Sequence, residues 1–223
     1  MPSARPSSRT REPSRWVGLS ADDRRAGRRE LLLDATYELL GTEGWSGTTV
    51  RAVCQAARLN PRYFYESFAD LDDLVIAVYD RLVAELGAEV LAALDSAAAD
   101  PRSQSRAAIG RIVSFVDEDR RRARVLYIEA LGNEALNRRR IETAHQIVSV
   151  VELVAAERLG PLPDGEQIGR IGASILVGGI GEVVVAWLEG RIKVSREQLI
   201  DDATEMFMAV GEAAARLAES RAK

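Results

Sequence analysis

Apolar residues recur at spacings of three and four along most of this chain, and no stretch alternates for long in the manner of a half-buried strand. Leu31, Leu32, Ala35, Leu39 and Leu40 mark an amphipathic helix over about 22–42. Ser20, with Asp23 three residues on, opens it, and Gly44 closes it. Val50, Val53, Cys54 and Ala57 form the inner face of a short second helix capped by Thr48 or Thr49. Asn60 caps a third, with Pro61 at its first position, where a missing N–H costs nothing. Asp70 begins a long fourth helix whose apolar positions include Leu74, Ala77, Val78, Leu82, Leu86 and Val90. Pro101 marks a break, and further helical patterns cover about 103–117, 119–131 and 134–159. Pro161 and Pro163 flank Leu162 in a turn before Asp164. Two last helices run over about 165–190 and 195–219, the second capped by Ser195 with Glu197 in its first turn. The pattern predicts an all-α fold of about nine helices.

One segment, Ile171 to Leu188, is almost wholly apolar and approaches the length of a bilayer span. Glu182 lies inside it, and a carboxylate at mid-bilayer costs several kcal/mol. A helix apolar on most sides is otherwise buried in a core or an oligomer interface. Gly172, Gly178, Gly179 and Gly181 would admit a close neighbouring helix, in the same subunit or in a second one. No membrane association is expected.

Composition agrees with a folded helical protein: 47% of residues are hydrophobic and only 5% aromatic. Cys54 is the single cysteine, which fits a reducing cytoplasm. The opening residues are basic without an apolar run, unlike a secretory signal. The net charge of −4 argues against a general nucleic-acid coat protein, but the charge is unevenly spread. Arg5, Arg9, Arg11 and Arg15 face only Glu12, and Arg24, Arg25, Arg28 and Arg29 follow; acidic residues gather later, as at Asp70, Asp72 and Asp73 and at Asp201, Asp202 and Glu205. A basic front on an acidic body suits DNA binding, and residues 1–19 read equally as a solvated, disordered arm.

The stretch Thr48 to Phe68, TTVRAVCQAARLNPRYFYESF, places two short helices around a tight turn, the arrangement by which a helix-turn-helix offers a recognition helix to the major groove. Its surroundings resemble the TetR family of bacterial transcriptional repressors. The matching pieces are the first helix Arg28 to Trp45, Thr48-Thr49-Val50, the turn Ala56-Ala57-Arg58-Leu59-Asn60, the segment Phe64 to Phe68, and the helix entry Asp70 to Leu74. The match covers about residues 24–80; beyond it only the helical architecture is similar. Arg58 stands where the family has a turn glycine, Arg62 and Tyr63 where small residues are common, Ser67 where an aromatic is usual, and Leu71 where a lysine often meets phosphate.

The expected organisation is a flexible Arg-rich arm (1–19), a three-helix DNA-binding domain (20–69) and a helical ligand-binding and dimerisation domain (70–223). Thr48 and Thr49, at a helix N-terminus, suit a cap, a phosphate oxygen or both. Arg51 adds charge. Asn60 suits a cap or a base edge, beside Pro61. Arg62 suits guanine O6 and N7 or a phosphate. Tyr63 suits a thymine methyl or a backbone oxygen, and Tyr65 matches the family's phosphate-contacting tyrosine. Ser67 completes the candidate DNA-binding set, while Phe64, Phe68 and Val53 read as core.

Specificity needs two copies on a palindromic operator. The resemblance puts the homodimer interface on the last two helices, with Ile175, Leu176, Val183, Val184 and Trp187 on one and Leu199, Met206, Phe207 and Val210 on the other. It also implies repression relieved by a small-molecule effector, apolar from the lack of concentrated charge. Tyr79, Phe115, Tyr127, His145 and Trp187 are candidate pocket residues, each equally readable as core. No catalytic motif, metal-ligand set or cofactor signature is present, and His145 is the only histidine, so an enzyme is not expected. A helical dimer using its first helices for protein contacts is the remaining alternative.

Overall fold

A computed structural model describes residues 20–159 and 165–221, with side chains from 155 to 166 left out. The arm at 1–19 and the turn at Pro161, Pro163 and Asp164 lie outside the described residues. Within them all regular structure is helical. The helices are α1 (Ala21–Thr42), α2 (Val50–Ala56), α3 (Pro61–Tyr65), α4 (Leu71–Ser96), α5 (Pro101–Glu118), α6 (Arg120–Ala123), α7 (Glu134–Leu159), α8 (Gly165–Leu188) and α9 (Arg196–Arg221).

The helix starts follow from short polar side chains that satisfy orphan N–H groups. Ser20, Thr49, Asn60, Asp70 and Asp100 each accept from a backbone N–H of the following turn, and the Ser195 hydroxyl accepts from the Gln198 N–H at 3.1 Å. Pro101 is the first residue of α5, so the break it marks is a helix start. Gly44 ends α1 with φ +76°, and its N–H donates to the Leu39 carbonyl. A Cβ there would also meet the Arg124 guanidinium at 2.6 Å.

One element departs from the sequence pattern. Residues 119–131 do not form a single α-helix: α6 lasts four residues, then Arg124–Ile128 winds as a π-helical turn and Glu129–Gly132 as a 3₁₀ turn. Tertiary hydrogen bonds account for it. The Arg124 guanidinium donates to the Thr42 carbonyl at 2.7 Å and to Glu129 at 2.7 Å, and Glu129 accepts from the Trp45 N–H at 2.6 Å. Helical periodicity across 119–131 carries no trace of this demand from the end of α1.

α4 packs against α1, α5 and α7; α5 and α8 pack against α9; α7 packs on α8. One buried cluster runs from Leu32, Val53 and Phe64 through Leu74, Val78, Phe115 and Val125 to Val184 and Leu199. At the α1–α6 crossing Tyr37 donates its hydroxyl to Asp119 at 2.8 Å, and Arg121 pairs with both Asp119 and Glu38. The Arg121 hydrogen bond, first, and the Tyr37 bond hold the Asp119 carboxyl down at about 2, below its ordinary 3.8. Burial and this carboxylate push the Tyr37 phenol up. A depressed folded pKa gives stability that is full above 3.8 and lost as pH falls toward 2. Asp119→Asn should therefore flatten that part of the acid limb in urea melts run across this pH range.

Candidate nucleic-acid interface

Core side chains fix the crossing of the first three helices. Val53 and Phe64 are fully buried, and the Phe64 ring meets Tyr65 edge-on at 5.1 Å and Phe68 at 6.1 Å. Cys54 is buried, which pushes its thiol up and makes it a core group rather than a nucleophile.

The two threonines separate. Thr49 is the exposed cap of α2, accepting from the Ala52 N–H at 3.1 Å. Thr48 is buried and donates its hydroxyl to the Gly44 carbonyl at 2.8 Å. That hydroxyl is committed inside the head, so the candidate phosphate position at this helix start belongs to Thr49. Arg51 is exposed two residues on.

α2 ends in paired bonds: the Arg58 N–H donates to the Gln55 carbonyl at 3.2 Å and the Leu59 N–H to the Cys54 carbonyl at 2.9 Å. This closure requires a left-handed residue between them, and Arg58 takes φ +54°. The turn thus keeps the glycine geometry without the glycine. Arg58→Gly should raise stability by about 1 kcal/mol, the left-handed penalty relieved less the extra freedom of the unfolded chain. A urea midpoint no higher than the parent's would contradict this.

Asn60 accepts from the Arg62 N–H at 2.9 Å, so its side-chain oxygen serves α3 as a cap, with the exposed Pro61 at the first position. Arg62 projects with 82% of its side chain exposed and pairs through Nε with Glu66 at 3.0 Å, its two amino groups lying outside that pair. Tyr63 is turned onto α1, where the Arg28 guanidinium sits 4.4 Å from its ring centre, so one face is already occupied. Tyr65 is 63% exposed. Ser67 is only partly exposed and its hydroxyl is enclosed. Leu71 packs at the edge of the core, in the place of a phosphate-binding lysine.

Of the candidate pocket residues only Tyr79 and Tyr127 come near one another. Tyr79 is buried, and burial raises its pKa. Tyr127 lies over Gly181 of α8, its phenol pushed up to about 12 by burial and by Tyr79 nearby. The Arg140 charge acts on both phenols, a group that periodicity did not single out. Phe115 is fully buried in the core beneath the Arg122 guanidinium, 4.0 Å from its ring centre. His145 is exposed on α7. Trp187 closes the α8–α9 turn by donating to the Val194 carbonyl at 2.9 Å.

The candidate interface residues divide by face. Ile175 and Met206 are 58% and 70% exposed. Leu176 and Val210 are partly exposed, and Val183 and Phe207 pack on the core. Val184 and Leu199 are buried inside the subunit, which removes them from any surface. The α8 glycines divide in the same way. A Cβ at Gly172 would meet Ala214 and one at Gly181 would meet Tyr127, whereas Gly178 and Gly179 open on empty space. From Gln167 to Leu188 α8 is long and apolar enough to span a bilayer, by length and composition only.

An exposed, capped recognition helix held by a buried aromatic on two further helices, with a separate all-helical body, is the architecture of a helix-turn-helix regulator. Residues 32–78 match the profile of bacterial regulatory proteins of the tetR family. The chain is 29% identical to the HTH-type transcriptional regulator BetI of Rhizobium meliloti (strain 1021) over 156 residues, covering 69% of this chain and 75% of that protein. Its fold is similar to a putative transcriptional regulator from Pseudomonas aeruginosa PAO1, with TM-score 0.67, 20% identity and coverage of 91% and 97% of the two chains. It is also similar to the multidrug binding protein EbrR, solved with imidazole, with TM-score 0.59, 22% identity and coverage of 80% and 93%. Residues 32–78 thus carry a DNA-binding head of the tetR-family type, and the family match and the relative support a DNA-binding transcriptional regulator rather than an enzyme.

Proposed function

We propose that this regulator is a cytoplasmic repressor that binds a palindromic operator as a homodimer and leaves it when a small molecule binds the body. Residues 20–69 are the reading head and 70–223 the sensing and pairing body, with α4 packed against both α1 and α7. The observation that carries the reading is the recognition helix, capped by Asn60, anchored by Phe64 and leaving Arg62 and Tyr65 outward. In this reading Thr49, Arg51 and Tyr65 hold phosphates and Arg62 reads a guanine edge.

Pairing is supported by the open face of α8 and α9. Ile171, Ile175, Gly178 and Gly179 follow one another at helical spacing on α8, facing out with Met206 of α9. A second copy laid across these glycines would approach closely and cover the apolar residues. The effector reading rests on Tyr79 and Tyr127, polar groups brought together between α4, the π-helical turn and α8. The EbrR structure with imidazole is a relative of this fold holding a small molecule.

Fluorescence anisotropy on a duplex selected from a random-sequence pool tests the head. Arg62→Ala should weaken binding by about 1–3 kcal/mol and relax selectivity at one base pair in each half-site. Binding as tight and as selective as the parent's would remove Arg62 as the base reader.

A further inference from the structure

A cleft of about 330 Å³ opens between the first turns of α1 and the turn after α3, lined by Asp22, Arg25, Ala26, Arg29 and Ser67. Its lining holds donors that the fold leaves unused. The Ser67 hydroxyl and one Arg29 amino group are enclosed without a hydrogen-bond partner. The Arg29 guanidinium stacks 4.3 Å from the Phe68 ring centre, and Arg25 donates to the Glu66 carbonyl at 2.5 Å. Among the described residues neither arginine has a carboxylate within salt-bridge distance, and Asp22 is the only acid in the lining. Two guanidiniums and a hydroxyl around an open volume suit an oxyanion with several acceptor oxygens.

The small side chain at 67 leaves this space, since an aromatic there would fill it. Four residues on, Leu71 has withdrawn into the edge of the core. The cleft thus adjoins the recognition helix where the head has no lysine to meet the DNA backbone.

We propose that this cleft seats a backbone phosphate of the operator, with Arg29 and the Ser67 hydroxyl donating to its oxygens and Arg25 adding charge. The proposal rests on the head being a DNA reader. Its test is anisotropy on the selected duplex over a salt series, with Arg25→Gln and Ser67→Ala. Arg25→Gln should lower the slope of log affinity against log salt by about one. Ser67→Ala should weaken binding severalfold while the free protein melts no lower than the parent, because an unpartnered enclosed hydroxyl has gone. Both variants should keep the parent's sequence preference, as phosphate contacts carry none. Parent-like slope in Arg25→Gln together with parent-like affinity in Ser67→Ala would overturn the proposal. So would inorganic phosphate raising the melting temperature of the parent but not of Arg25→Gln while the slopes stay equal, since the cleft would then take a free anion. Failure of the parent to select any duplex would instead sink the DNA-reading assignment itself.

Discussion

Phe64→Ala is expected to lower stability by about 3–5 kcal/mol and to abolish sequence-preferring DNA binding. Phe64 is fully buried and is the only residue of α3 that is, so it is the main anchor of a five-residue helix on α1 and α2, beside the Tyr63–Arg28 contact. So short a helix has no stability of its own, and its orientation comes from packing. Truncation removes the aromatic contacts to Tyr65 and Phe68 together and leaves a cavity at the centre of the head. Urea melts give the energetic cost, and anisotropy gives the loss of binding. Tyr65→Phe is the comparison. With 63% of Tyr65 exposed, the fold should be kept while a phosphate contact is lost. A Phe64→Ala protein within about 1 kcal/mol of the parent would show that the helix is held by other means.

Ile175→Asp is expected to raise the dimer dissociation constant by about a thousandfold or more. Ile175 is 58% exposed in the subunit, so the monomer tolerates a carboxylate there. In the proposed dimer the two-fold axis would present the change twice, and each unpaired carboxylate buried in an apolar seam would cost at least about 2 kcal/mol. The sum of about 4 kcal/mol corresponds to that factor. Leu199→Ala makes the opposite case. Leu199 lies inside the subunit, so its loss should cost about 2–5 kcal/mol of folding stability without a specific effect on pairing. Sedimentation across a concentration series separates the two. An Ile175→Asp protein that remains dimeric to the parent's dilution limit would move the interface elsewhere.

What was legible in the sequence was mostly local. Ser20, Thr49, Asn60, Asp70 and Ser195 sit at the helix starts that their capping chemistry dictates, and Pro101 opens α5. At Arg58 the sequence left two outcomes open, a left-handed residue at a cost or a differently shaped turn, and the structure has the left-handed one. Contacts made across the fold were not legible. Thr48 and Thr49 are alike by type, and only the Gly44 carbonyl decides which hydroxyl is drawn inside. The 119–131 segment has helical periodicity, yet Arg124 and Glu129 are pulled to the end of α1 and the helix changes its winding to allow it. α8 is apolar on nearly all sides, so periodicity could not tell the covered face of Val184 from the open face of Ile175. His145 stood out by being the single histidine, which says nothing about the side of α7 it occupies.

These features meet in one claim: two copies of this head read an inverted repeat. Footprinting on genomic fragments retained by the protein, at low salt and repeated at physiological salt, tests it most directly. The expected result is protection of two half-sites related by a two-fold axis, one helical turn or a multiple apart, persisting at the higher salt and lost with Arg62→Ala. Protection that shows no sequence preference even at low salt would contradict it.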